Sequence, residues 1–581
     1  MMRTLVALMA FTLLLSANLC AEVKSALKYP QLKGKIVRNI IIKLGDVFDE
    51  SSSGFIYRQA NNFKINTKEY VIFREVLLKE GEEFNEGLMA QSARNIRAFR
   101  FLRDVDIHPV EDGGFVDLIV TAKDTWTIIP QVGFSSGTGN NKASIGMVEH
   151  NLLGYGKKVG AKYSEEDKRT SLETIYSDYR FLGTKNNFNA GVFNRNDGDI
   201  HFFGIETPFR SFDQKEAWSF DAYRGDTIGR LFNNANERYI FRQENINING
   251  RYSIASGDPE HEVHRLSFGY DYISDKFQQA DQSDYNDLNL DPEEVSNDPS
   301  MLADDRIFTG PSLTYHFIEP NYISRNYIDR FDRVDDYNLG TEYSFSSLIA
   351  PEAVGSGKDT FLFSANRSGG WKFGNDAFLR GEIGYASRYD DDGASNSLYR
   401  GELKYFNVLG PKYIKELYIG KHTFAASIFM DYAEDLDRDR QFLLGGDAVI
   451  RGYKTRTFEG DKRMGINIED RIHLIDDAFQ LISLGAAVFL DAGGATYSPV
   501  GNIVTEDFYS DVGAGLRIAF PRSTGSQVLR LDISFPMRDG PDGSGQFEPR
   551  ILLSGGQIFN SKLRSEVLGA ERANIDVGFD R

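Results

Sequence analysis

Apolar and polar residues alternate one for one along much of this chain. In Val512–Phe520, the residues Val512, Ala514, Leu516, Ile518 and Phe520 share one face, and Gly513, Gly515, Arg517 and Ala519 share the other. In Val528–Phe535, Leu529, Leu531, Ile533 and Phe535 oppose Val528, Arg530, Asp532 and Ser534. Successive side chains on a strand point to opposite faces, so this pattern predicts strands with one apolar and one polar surface. Extended runs of about 10 to 14 residues, separated by turn residues, recur from Thr125 to Phe559 and give between about 16 and 20 strands. A soluble sandwich would alternate in the same way. The length of the runs and their repetition favour a transmembrane barrel with its apolar face outward.

A different rhythm occupies residues 33–123. Ile36 to Ile42 is a β-rich run. Asn66 with Glu69 has capping-box spacing for a helix carrying Tyr70, Ile72, Phe73, Val76 and Leu77, which Gly81 ends. Leu88, Met89, Ser92, Ile96 and Phe99 form the buried face of a second helix. Val105–Val110 and Phe115–Thr121 flank Asp112-Gly113-Gly114, a hairpin signal. These runs predict a small α/β domain ahead of the barrel.

Residues 1–21 have the layout of a secretory signal peptide: Arg3, an apolar stretch from Leu5 to Leu15, then small and polar residues up to Ala21. A lipoprotein anchor at Cys20 is disfavoured by Leu19 before it. Cys20 is the only cysteine, which excludes a disulfide framework or a thiolate metal site in the processed chain. No later apolar run approaches the length of a spanning helix, about 20 residues. The 28 Tyr, 43 Phe and 55 Gly, against only 16 Pro, suit a barrel. A mean hydropathy of −0.38 does not oppose one, because lipid-facing residues come only at every second position. The net charge of −18 argues against nucleic acid as a partner.

Three candidate motifs have plainer readings. Gly133-Phe-Ser-Ser-Gly137 matches a nucleophile elbow, but a Gly-rich turn and another strand follow instead of a helix. His261 and His264 share a face only on a helix, and their segment alternates like a strand. Asp281–Asp305 contains nine acidic residues and no basic one and places Asp287, Asn289 and Asp291 like calcium ligands, yet lacks the central Gly of an EF-hand, so a surface loop is expected, with weak binding of divalent cations as the alternative. No serine has a matching histidine and acid, so no enzymatic activity is expected, and no cofactor or metal is called for.

The fourth motif is sharper. Gly445-Gly-Asp-Ala-Val-Ile-Arg-Gly-Tyr453 lies in a long loop from about Ala433 to Arg463. The strand that follows carries Gly465, Asn467, Glu469, Arg471 and His473 on one face, and the next carries Ser483, Gly485, Ala487, Phe489 and Asp491. Glu469 and Asp491 therefore sit on the polar, lumen side. A loop folded into the barrel sets Arg451 against both carboxylates, which suit a guanidinium as bidentate partners. Three unrelated charges in a wet lumen are the alternative.

At this point the residues resemble the BamA/TamA superfamily. The loop sequence Ile450-Arg451-Gly452-Tyr453, with Phe489-Leu490-Asp491-Ala492-Gly493 downstream, is similar to that family's sixth-loop and thirteenth-strand motifs. Asn151-Leu152-Leu153-Gly154-Tyr155-Gly156 resembles its early-barrel signature, and residues 33–123 resemble a POTRA domain in element order. The resemblance implies a POTRA-like domain in the periplasm and a 16-stranded antiparallel barrel over 125–559 in the bacterial outer membrane. It also implies that Arg451 tethers an inward-folded loop through Glu469 and Asp491, and that Phe559 is the terminal-strand aromatic. The implied activity is insertion or translocation of unfolded β-rich polypeptides, without nucleotide or metal, alongside outer-membrane lipid and with periplasmic or lipoprotein accessory factors. A passive channel, or an exporter of lipid or small molecules, is the alternative. Residues 560–581 form a tail after the last strand, which the family pattern does not include.

Overall fold

The computed structural model describes residues 28–48, 55–135, 142–166, 168–446, 449–524, 528–555 and 557–559. The expected signal peptide and the tail 560–581 fall outside these residues, as do Ser136 and Gly137 of the elbow-like motif.

The N-terminal unit holds three helices and a three-stranded sheet, and the second and third helices pack on that sheet. Strand β1 (Ile36–Gly45) runs parallel to β3 (Phe115–Asp124), and β2 (Leu102–Asp112) is antiparallel to β3, giving the order β1-β3-β2. Helices α1 (Phe55–Phe63), α2 (Glu69–Phe73) and α3 (Glu86–Arg97) lie between β1 and β2 in sequence. Val37, Val71, Ile72, Met89, Ile96, Val116, Leu118 and Val120 are buried together between the layers. The Asn85 side chain caps α3 by accepting the Leu88 N–H at 2.9 Å.

Two local expectations are corrected. The helix predicted from Asn66 to Leu77 shrinks to the five residues of α2, and Asn66 does not cap it. Asn66 instead donates to Asp46, and Thr67 is held by Asp124, so the chain just before α2 is committed to tertiary contacts. Helix α1 was not legible as a separate element.

The rest is one antiparallel sheet. It begins with β4 (Ile128–Ser135), β5 (Lys142–Glu149), β6 (Lys157–Glu166), β7 (Arg169–Asp178), β8 (Asn187–Arg195) and β9 (Gly198–Thr207). It continues with β10 (Glu216–Asn233), β11 (Asn236–Asp258), β12 (Glu262–Gln279), β13 (Arg306–Ile318) and, after a small hairpin of β14 (Tyr322–Arg325) and β15 (Asp335–Asn338), β16 (Glu342–Ala350). Then come β17 (Thr360–Phe373), β18 (Ala377–Asp390), β19 (Gly393–Ile414) and β20 (Leu417–Glu434). A second small hairpin, β21 (Phe442–Leu444) with β22 (Phe458–Gly460), precedes β23 (Lys462–Ala478), β24 (Ile482–Thr496), β25 (Tyr509–Ala519), β26 (Leu529–Pro536) and β27 (Arg550–Gly555). Each sheet strand pairs with its neighbour in sequence, and β27 returns beside β4.

Among the described residues the sheet has twenty strands, not the sixteen that the resemblance implied. Alternation counts hairpins directly and includes twenty at its upper limit. A shared motif fixes the position of a loop and a strand, but says nothing about how many hairpins lie elsewhere.

The burial pattern of the sheet is the reverse of a soluble protein's. Leu516, Leu529, Leu531, Ile533, Val488 and Leu490 are exposed, whereas Arg517, Arg530, Asp532, Ser534 and Asp491 are buried. The apolar face looks outward and the polar face inward, which is the arrangement of a wall solvated by lipid.

The N-terminal unit is fastened to one end of this sheet, here called the near end. The β5–β6 turn carries Asn151–Gly156. Lys68 N–H donates to the Gly154 carbonyl at 3.0 Å, and Asn151 Nδ2 donates to Thr67 Oγ1 at 2.7 Å. Gly154 has φ +76°, and a Cβ there would lie 2.3 Å from the Asn66 carbonyl oxygen, so only glycine fits this contact. Buried Glu75, just after α2, accepts Arg180 Nε at 2.7 Å and Arg210 Nη1 at 3.2 Å from two further turns.

Candidate functional site

The candidate site is built from the β20–β23 connection and the inner faces of β23, β24, β25 and β26. Gly445 (φ +120°) and Gly446 (φ +60°) turn the chain after β21. Gly446 N–H donates to the Tyr453 carbonyl at 3.0 Å, which fixes the segment 449–457 as a compact return. Asp447 and Ala448 lie outside the described residues. Ile450 and Tyr453 are fully buried among Phe429, Leu444, Phe458 and Ala495. The Tyr453 hydroxyl donates to the Arg538 carbonyl at 3.0 Å.

With its two neighbours anchored apolarly, Arg451 projects onto the polar face of the sheet and is completely buried there. Its Nε donates to Asp491 Oδ2 at 2.6 Å and its Nη2 to Asp491 Oδ1 at 2.9 Å, a two-pronged ion pair. Nη1 reaches Glu469 Oε1 at 2.9 Å and Asp532 Oδ2 at 3.2 Å. The guanidinium carbon lies 3.3 Å from the centre of the Phe489 ring, adding a cation–π contact. Burial alone would favour loss of its proton. The Asp491 and Glu469 carboxylates outweigh that and hold the group charged, well above its ordinary value.

The structure brings together Arg451, Glu469 and Asp491. It adds residues that the sequence did not single out for this contact. Asp532, from β26, is a third carboxylate on Arg451 and is also bound by Arg517 and by Arg530, the latter at 3.1 Å. Arg471 donates to Glu469 Oε2 at 2.9 Å. Asn467 donates to Asp491 and to the Val449 carbonyl, each at 2.8 Å. Asp511 accepts the Gly452 N–H at 2.9 Å and the Ser534 hydroxyl at 2.6 Å. A Cβ on Gly452 would lie 2.7 Å from Asp511 Cβ, so this close approach also requires glycine. The signal that could have found Asp532 is its place on the polar face of Val528–Phe535, but alternation does not say which strands converge on one loop.

Phe559 does not touch Arg451; it is buried against Phe406 and Ile328, with its carbonyl bound by Arg471. The weaker motifs resolve plainly. His261 pairs with Asp258, while His264 pairs with Tyr315 on the neighbouring strand, so the two histidines do not converge. The acidic stretch forms a short capped helix, Gln282–Asp287, and loops. Among the described residues no group of three or more histidine, cysteine, aspartate or glutamate side chains is arranged to hold a metal ion.

A wrapped antiparallel sheet with an apolar exterior, a polar interior and a loop arginine bound to that interior defines a membrane β-barrel type of protein. The Omp85 superfamily domain matches residues 151–559, and the chain belongs to that superfamily of outer-membrane proteins. A protein of Treponema pallidum described as an outer membrane protein assembly factor is 29% identical over 127 residues, which are 20% of this chain and 15% of that protein. The match therefore spans a small part of that relative's length. Among solved structures, CdiB from Escherichia coli aligns over 90% of this chain and 76% of its own, with 12% identity and a TM-score of 0.41. BamA from Haemophilus ducreyi lacking POTRA domains 1–3 aligns over 89% of this chain and 84% of its own, with 13% identity and a TM-score of 0.37.

Proposed function

We propose that this protein is an outer-membrane barrel that inserts or translocates polypeptides, with the segment 449–457 folded into its lumen and tethered by Arg451. The observation that carries the reading is the completely buried guanidinium of Arg451, bound by carboxylates from three different strands. A loop held this way spans the lumen and fixes β23, β24 and β26 relative to one another. In this reading the sheet closes at β4 and β27, the near end faces the periplasm, and the N-terminal unit is a POTRA-like domain that receives unfolded β-rich chains by strand addition. The filled interior at the tether speaks against a permanently open channel.

The test is Arg451→Ala in the full-length protein reconstituted in lipid vesicles with an unfolded barrel precursor or a secreted β-rich substrate. Loss of insertion or translocation, with the wall still folded, supports the reading. Unchanged transfer of every substrate tried, together with a steady open conductance in planar bilayers, would overturn it in favour of a channel.

A further inference from the structure

The near end of the wall is occupied by the connection between β13 and β16, residues 319–341. This segment meets the wall on one side. The Tyr327 carbonyl accepts Thr423 Oγ1 at 2.8 Å, the Ile328 carbonyl accepts Arg471 Nη1 at 2.8 Å, and the Phe331 ring stands edge-on to His473 with centres 4.6 Å apart. On its other side it meets the N-terminal unit, where Arg97 grips Asp336 through two bonds of 2.8 and 3.0 Å and Arg333 donates to the Arg100 carbonyl at 3.2 Å. The chain leaving β27 also turns to this place. Phe559 packs in one cluster with Ile328, Tyr337, Leu339, Phe378 and Phe406.

Arg471 joins these parts. Its guanidinium is 1% exposed and sends one nitrogen to each of three places: Nε to Glu469 Oε2 at 2.9 Å, Nη1 to the Ile328 carbonyl and Nη2 to the Phe559 carbonyl, both at 2.8 Å. Glu469 is the carboxylate whose other oxygen holds Arg451. One carboxylate therefore bridges two arginines, the first on the loop and the second on the near-end closure. A planar guanidinium has a fixed fork, so its three bonds hold only while Glu469 keeps its orientation. That orientation is set in part by Arg451.

We infer that Arg471 is a positioning residue that couples the Arg451 tether to the segment 319–341 and to the chain end after β27, so that releasing the loop loosens the near-end closure. The inference rests on the tether reading above and adds the regulation of that site. Residues that share one hydrogen-bonded network give non-additive effects when altered together, and this separates coupling from local support.

The experiment uses Ile328→Cys in the full chain, with the predicted signal cysteine Cys20 replaced by alanine so that a single thiol remains. Ile328 is 1% exposed, and the readout is its rate of alkylation by a soluble maleimide in vesicles, with folding checked by the gel mobility of unheated protein. Arg451→Ala and Arg471→Lys are each expected to raise the rate by about tenfold or more, as local opening becomes easier, and the pair together no further than the larger single effect. Where Arg451→Ala does not fold, Arg451→Lys replaces it. It also raises the rate, because a point charge does not span Asp491 and Glu469 together. An unchanged rate with altered Arg451, or effects that multiply independently in the pair, would overturn the coupling. Labelling needs no substrate, so failure of polypeptide insertion leaves this result readable, and intact insertion with unchanged labelling overturns the coupling alone.

Discussion

Arg451 grips Asp491 through two near-parallel hydrogen bonds of 2.6 and 2.9 Å, with both side chains wholly buried. A pair of this geometry is specific to a guanidinium, and its location makes each partner depend on the other. Removing Arg451 takes the guanidinium from a wholly buried carboxylate, and breaking a buried pair in this way costs about 3–5 kcal/mol.

The first expectation concerns that dependence. Arg451→Ala takes the arginine from buried Asp491, while Glu469 keeps Arg471 and Asp532 keeps Arg517 and Arg530, and should destabilise the wall by about 3–5 kcal/mol. Arg451→Lys keeps the charge but not the fork and should lie between the two. Thermal unfolding followed by gel mobility measures both. If lysine were as stable as arginine, the bidentate geometry would have no energetic role.

A second expectation concerns Gly452. Its Cβ would come within 2.7 Å of Asp511 Cβ, on a sheet strand that cannot easily retreat. Gly452→Ala should cost about 1–3 kcal/mol, as overpacking does. The same substitution at Gly113, where an added Cβ meets nothing within 4 Å, is the local comparison for space, although φ there is +60°. Equal stability of the Gly452 variant and the parent would refute the close-approach argument.

Acid should release part of the loop. Asp542, between β26 and β27, accepts the Lys454 N–H at 2.7 Å, the Ser544 hydroxyl at 2.7 Å and the Thr457 hydroxyl at 3.2 Å. Burial would raise its pKa, but these donors, led by the Lys454 N–H, outweigh it and hold the carboxyl below its ordinary value. A depressed carboxylate contributes stability that is complete above the unfolded pKa, about 4, and that is lost as pH falls through the folded value. Hydrogen exchange at Lys454 should therefore accelerate below about pH 4 in the parent, while in Asp542→Asn it should lack that acid step. An identical acid step in both proteins counts against this anchor.

The N-terminal unit should loosen when Glu75 is neutralised. Glu75→Gln leaves Arg180 and Arg210 without the carboxylate they share. Faster hydrogen exchange in α2, with the wall's own exchange unaltered, is the expected result. Unchanged exchange in α2 would show that the other contacts, through Asn151 and Gly154, hold the unit by themselves.

Much of this molecule is legible in its residues, because a strand has a period of two. Alternation placed Glu469, Asp491, Arg471 and Arg517 on the polar face, and the apolar exterior at Leu516 and Leu531 follows from the same rule. The paired glycines, Gly445 and Gly446, mark the loop that carries Arg451. These features are local, so a sequence determines them without reference to partners far along the chain.

Only the tertiary structure decided which faces meet. Asp532 stands 81 residues from Arg451, and Ile328 stands 143 from Arg471, distances over which no periodicity carries information. The strand count of twenty depends on which runs find neighbours. The shortened helix α2 depends on Thr67 being bound to Asp124 rather than free to extend a helix. Local pattern sets what each residue faces. Assembly of the sheet sets what it touches, because contacts between distant segments form only when the whole wall brings them together.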